Sequence, residues 1–116
     1  MGSYSVDVKA TNLTGSGVIF GGPARVLGIY FVADTTAGSI IIRDGGVSGT
    51  ILATFQTPLG SNTAGNEWTT QIEIPGNGLY CRESAYATLS GVDKVTVFYG
   101  YCLLYTSDAA DDLLCV

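Results

Sequence analysis

Apolar and polar residues alternate along most of this chain, which is the period of a strand and not of a helix. Near the start, Tyr4, Val6, Val8 and Ala10 fall on one side, with Ser5, Asp7, Lys9 and Thr11 on the other. That predicts a half-buried strand with the first set facing the core. Asn12 to Gly17 is rich in turn residues and predicts a break. Val18 to Phe20 is a short second strand, stopped by Gly21-Gly22-Pro23.

The segment R-V-L-G-I-Y-F-V-A, Arg25 to Ala33, is the most apolar and predicts a central strand, with Gly28 permitting a bend or close packing. Ser39 to Asp44 predicts a strand with Ile40 and Ile42 on one face and Ile41 and Arg43 on the other. Asp44-Gly45-Gly46 is a hairpin signal, because glycine reaches positive φ without strain. The chain then returns through Thr50 to Thr57, which contains Ile51, Ala53 and Phe55, and Pro58 stops it.

Leu59 to Trp68 is the longest polar stretch and predicts an exposed loop. Thr69 to Ile74 predicts a strand with Ile72 and Ile74 inward, and Pro75-Gly76-Asn77-Gly78 turns the chain into a short strand from Leu79 to Arg82. Ala85 to Leu89 and Lys94 to Tyr99 predict a final hairpin, with Val95, Val97 and Tyr99 opposite in face to Thr96 and Phe98. The expectation is an all-β fold: a single antiparallel β-sandwich or jelly roll of eight or nine short strands.

The end of the chain departs from this pattern. Cys102 to Asp111 reads C-L-L-Y-T-S-D-A-A-D, which is the translation of a transposase-type sequencing adaptor in one frame. Asp112 to Val116 fits the sample index and the fixed bases after it. Residues 102–116 are therefore expected to be an artefactual tail and residues 1–101 the sandwich domain. In that frame the adaptor supplies the last base of the Tyr101 codon. A native TA followed by A or G would be a stop, so the frame predicts a natural terminus at Gly100.

The tail changes what composition means. Three of the ten acidic residues, Asp108, Asp111 and Asp112, lie in it, and it contains no Lys or Arg, so the net charge of −5 becomes −2 without it. Lys9, Arg25, Arg43, Arg82 and Lys94 are scattered, so no nucleic-acid partner is expected. Two of the three cysteines, Cys102 and Cys115, also belong to the tail. Cys81 is left as a small apolar filler unless a base activates it. No apolar run approaches the ~20 residues of a membrane-spanning helix, so no membrane insertion is expected.

Candidate chemistry is sparse. The chain has no histidine, which removes the commonest general base and metal ligand and every nucleophile–histidine pair. Asp7, Asp34, Asp44, Glu67, Glu73, Glu83 and Asp93 are dispersed and suit solvated strand and turn positions, Asp34 and Asp44 as turn residues. A glycosidase-like carboxylate pair has no support in their spacing. Gly15-Ser16-Gly17 and Gly21-Gly22 lack the Gly-Lys-Ser/Thr of a phosphate loop. No enzyme activity, cofactor or metal is expected. Trp68, with Asn66 and Asn62 in the same loop, has the composition of a glycan contact, where a flat ring covers a sugar and amides bond its hydroxyls. The competing role for Trp68 is to anchor the loop on the sheet.

Several blocks together carry a resemblance. They are A-R-V-L-G-I-Y-F-V (Ala24 to Val32), G-S-I-I-I-R-D-G-G (Gly38 to Gly46), G-T-I-L-A-T-F-Q-T-P (Gly49 to Pro58), I-P-G-N-G-L (Ile74 to Leu79) and Y-A-T-L-S-G-V-D-K-V-T-V-F-Y-G (Tyr86 to Gly100). Over about Val6 to Gly100 the chain resembles small uncharacterised β-sandwich proteins of tailed bacteriophages, notably phages of marine bacteria. The resemblance implies a virion structural protein: a capsid decoration, head fibre or tail-associated subunit, assembled in the bacterial host cytoplasm and located on the virion. It carries over no site residues. The alternative is a glycan-binding or host-adhesion module with a host-surface glycan as partner. Consecutive apolar residues at Ile29 to Val32 and Ile40 to Ile42 favour a homo-oligomer or contacts with other virion proteins, since a strand apolar on both faces needs two covers.

Overall fold

The computed structural model describes residues 8–60 and 67–101. Nine strands follow one another: β1 Lys9–Leu13, β2 Gly17–Phe20, β3 Ala24–Ala33, β4 Gly38–Asp44, β5 Thr50–Thr57, β6 Thr69–Glu73, β7 Leu79–Cys81, β8 Ala85–Ser90 and β9 Val92–Gly100. There is no helix among the described residues. One sheet runs in the order β1-β9-β3-β6, with β7 continuing the β6 side of β3; the other runs β2-β8-β4-β5. All pairings are antiparallel.

The topology is that of a long ribbon folded back on itself. β1 pairs with β9, β2 with β8, β3 with β6 and β7, and β4 with β5. The ribbon is then rolled, so that β9 also pairs with β3 and β8 with β4. This is the jelly roll, one of the two expected architectures.

The core lies between the sheets. Its largest fully buried side chains are Val26, Ile29, Phe31, Ile40, Ile42, Cys81, Val95 and Val97. Ile40 and Ile42 face inward from β4 and Val95, Val97 and Tyr99 from β9, as the alternation predicts. Ile72 and Ile74 are half-buried against this core. The sheets are laced on one side by the Thr11 hydroxyl, which donates to the Ile19 carbonyl at 2.9 Å. The Gly38 amide donates to the buried Thr57 hydroxyl at 3.1 Å, binding the start of β4 to the end of β5.

Three expectations are corrected. The strand expected from Tyr4 faces the other way over its described part. Val8 is 63 % exposed, Ala10 is exposed, and Thr11 and Leu13 turn inward. Pairing with β9 sets this: Thr11 lies opposite Val97 and Leu13 opposite Val95, both core residues. The break expected at Asn12 lies two residues later, because Asn12 and Leu13 still pair with Thr96 and Val95. β8 and β9 form no hairpin. They belong to different sheets, and the single residue Gly91, at φ +68°, carries the chain across.

Gly28 lies in close packing, since a Cβ there would sit 3.1 Å from the Ile72 carbonyl oxygen. The register between β3 and β9 slips between Val26 and Gly28. Val26 faces the core before the slip, and Ile29, Phe31 and Ala33 after it. A second slip, at Ile42/Arg43 against β5, places Ile51 outward and Leu52 partly in the core. Of the apolar runs expected to need two covers, Tyr30 is exposed, Val32 is buried and Ile41 is half-buried.

Gly38 is the tightest point of the fold: a Cβ there would collide with the carbonyl oxygen of Ser90 and lie 2.7 Å from the Cα of Gly91. Both obstacles are backbone and cannot rotate away. Gly38→Ala is expected to cost about 3 kcal/mol, read as a lower urea midpoint at unchanged m value. Gly15→Ala, at a site open to space, is expected to stay within ~0.5 kcal/mol.

Candidate functional site

Trp68 sits one step before β6. Its carbonyl accepts the Ala33 amide at 2.9 Å, which continues the β3–β6 ladder by one residue. Ala33 is fully buried, so Trp68 borders the core where β3 ends. Its ring lies 6.0 Å from that of Phe31, tilted by 39°. Gly60 packs beneath it, with room for no side chain: a Cβ there would lie 3.0 Å from the Trp68 Cβ and 2.8 Å from that of Ala33. The Gly60 amide donates to the Asp34 carbonyl at 2.8 Å. Trp68 thus anchors the chain at this end, yet 44 % of it stays exposed beside exposed Leu59. Asn62 and Asn66 lie outside the described residues.

A second surface was not legible in the sequence. On the outer face of the four-stranded sheet, Val18 lies opposite Tyr86, Tyr86 opposite Arg43, and Arg43 opposite Ile51. The row crosses all four strands. Val18 is 53 % and Ile51 51 % exposed. Arg43 is held flat in the middle: its Nε donates to the Thr88 hydroxyl at 3.0 Å and its Nη1 to the Gly49 carbonyl at 3.1 Å. Its methylene stem therefore adds apolar surface between Tyr86 and Ile51. These residues are distant in sequence, and only the pairing register brings them into line.

Two other cations lie over aromatic rings. Arg25 lies over the ring of Tyr80, 4.7 Å from its centroid. Lys9 lies over the ring of Tyr101 at 5.7 Å. Tyr101 in turn stacks on Phe20 with centroids 4.6 Å apart. Among the described residues no group of three or more His, Cys, Asp or Glu could hold a metal ion. Cys81 is fully buried, and desolvation, followed by the charge of Asp44, pushes its thiol up to about 12. At that value it is a filler and not a nucleophile.

Asp44 does more than turn the chain. Its Oδ1 accepts the amides of Glu83 at 2.8 Å and Ser84 at 3.3 Å, and its Oδ2 that of Arg82 at 3.0 Å. One carboxylate thus satisfies three consecutive donors in the β7–β8 connection. Partial desolvation works to raise its pKa. The amides of Glu83, Arg82 and Ser84 and the charge of Arg82 outweigh that and leave it below 3.8.

No protein-family model matches the chain, no curated protein is significantly similar to it, and no solved structure matches it.

Because the folded-state pKa of Asp44 is depressed, its contribution to stability is complete above the unfolded value near 3.8 and is lost as pH falls through the folded value. Asp44→Ala is expected to cost about 1–2 kcal/mol at pH 7. The difference from the unaltered chain should shrink steadily below pH 3.8 in urea titrations. A gap that is independent of pH would assign the role to packing instead.

Proposed function

We propose that this protein is a structural subunit of a bacteriophage particle, acting as a capsid decoration, head fibre or tail-associated subunit. The observation that carries this reading is the row Val18–Tyr86–Arg43–Ile51 across a sheet that has the other sheet behind it, with Val18 and Ile51 exposed at its ends and half-buried Tyr86 and Arg43 between them. Such a stripe on a small domain suits a contact with another protein. The blocks that resemble tailed-phage proteins are fold-forming ones: they cover β3, the β4–β5 hairpin and the β8–β9 crossing. Viral capsid domains commonly use the jelly roll. That is a fold-level analogy and supports the reading only as such.

The full chain is expected to co-sediment saturably with purified phage particles of a marine bacterial host. Ile51→Lys, at an exposed position, should weaken that binding at least tenfold without changing the far-ultraviolet spectrum. Absence of particle binding by a folded chain would reject the proposal.

Trp68 favours a second reading, a module that binds host-surface glycans. Trp68 is 44 % exposed beside the end of β3, which suits stacking on a sugar, and lectins too use jelly rolls. A glycan array is the test. Signal that disappears on Trp68→Ala, with particle binding intact, would place glycan recognition at this side chain. A blank array with the unaltered chain would remove the reading.

A further inference from the structure

A peptide nitrogen that follows asparagine can close onto that side chain, and the nitrogen of a following glycine is the least shielded, since glycine has no Cβ. Such ring closure is one reason asparagine is thermolabile. Asn77 is the one asparagine of the chain that precedes a glycine; Asn12, Asn62 and Asn66 precede Leu13, Thr63 and Glu67. It lies in the turn Pro75-Gly76-Asn77-Gly78 between β6 and β7, and it is exposed. Among the described residues nothing hydrogen-bonds its side chain. The Gly78 amide makes a single long bond, to the Pro75 carbonyl at 3.3 Å, beyond the ordinary N–H···O range.

We propose that Asn77 is a site of spontaneous deamidation, at which this chain ages. The Gly78 nitrogen forms a bond to the Asn77 Cγ and gives up its proton. The bond from Cγ to the side-chain nitrogen breaks, and that nitrogen leaves with the proton as ammonia. Water then opens the succinimide at either carbonyl. Opening at Cγ gives aspartate; opening at the backbone carbonyl gives isoaspartate, in which the chain runs through the side-chain carbon. Asp44-Gly45 is the other pair that could close such a ring, and the fold prevents it. The Asp44 carboxylate accepts the amides of Arg82, Glu83 and Ser84, and the Gly45 amide donates to the Ser84 carbonyl at 3.2 Å. Neither group is free to turn toward the other.

The turn has no slack for isoaspartate. That link adds one carbon to the backbone immediately before Gly78, where even a Cβ would lie 2.7 Å from the Val26 carbonyl oxygen and 2.9 Å from Leu27 Cδ2. The next residue, Leu79, begins the three-residue pairing of β7 with β3, which ends with Cys81 opposite Ala24. Displacing that pairing uncovers Cys81, which is fully buried. A change at an exposed turn is thereby reported by a thiol inside the core.

The test is storage of the full chain for several weeks at physiological temperature and mildly alkaline pH, which favours the deprotonated, nucleophilic nitrogen. Peptide mapping by mass spectrometry should find succinimide, then aspartate and isoaspartate, at residue 77, forming at least tenfold faster than at Asn12 and with Asp44 unchanged. Folded aliquots treated with iodoacetamide should show alkylation of Cys81, which the map separates from Cys102 and Cys115, rising in step with isoaspartate. Asn77→Ser should abolish both changes. Asn77 intact at the end of storage, or isoaspartate at residue 44 ahead of residue 77, overturns the assignment. Isoaspartate at residue 77 with Cys81 alkylated no faster than in Asn77→Ser overturns the coupling to β7.

Discussion

Where the chain leaves one sheet for the other, the backbone at Gly38 and Gly91 is in direct contact, and neither position has room for a side chain. A Cβ on Gly91 would lie 2.8 Å from the Thr36 carbonyl oxygen and 2.9 Å from that of Ala37. The crossing takes a single residue at φ +68°. Everything else hangs on it, because β8 and β9 are interior strands of their sheets. β9 holds β1 and β3; β8 holds β2 and β4. The separation and offset of the sheets, and hence which core side chains meet, follow from how closely these strands approach at the corner. A larger residue there would strain a backbone junction rather than crowd one rotamer.

The same corner shows what local sequence can and cannot convey. Alternation located nearly every strand, and it oriented β4, β6 and β9 correctly, because no extra residue interrupts Ile40 to Ile42, Ile72 or Val95 to Val97; the slips next to them fall on Leu27, Leu52 and Asp93. Ser90 to Asp93 carries turn residues, but a turn signal does not say whether the next strand returns to the same sheet. That depends on the rest of the ribbon. β1 was misassigned for a related reason. Val8 and Ala10 are more apolar than Thr11, yet the strand takes its facing from Val95 and Val97, more than eighty residues away in sequence. The slips at Leu27 and Leu52 reverse the facing of a strand midway, which no fixed period can express.

The candidate surfaces were legible to different degrees. Trp68 could be picked out because a lone tryptophan in a polar loop is conspicuous; its contact with Phe31 needed the fold. Asp44 was recognisable as a turn residue, but its three amide partners at 82–84 reach it only through the β4–β8 pairing. The outer stripe had no signature at all. Its members come from four strands, and each is unremarkable alone. Surfaces made by register are invisible to motif reasoning for that reason, while catalytic loops, built from neighbours, often are not.

The ribbon topology also sets an order of events during synthesis. β1 is made first and pairs only with β9, which is made last among the described strands. At roughly 5–20 residues per second of translation, β1 waits several seconds for its only neighbour in the sheet. β4 and β5, by contrast, are joined by a five-residue turn at 45–49 and can pair as soon as both have emerged. The nascent chain thus carries its uncharged β5 edge already paired on one side, while the strands that will complete the opposite sheet are still in the ribosome. Crowding of ribosomes on one message would bring such half-built chains close together during that interval.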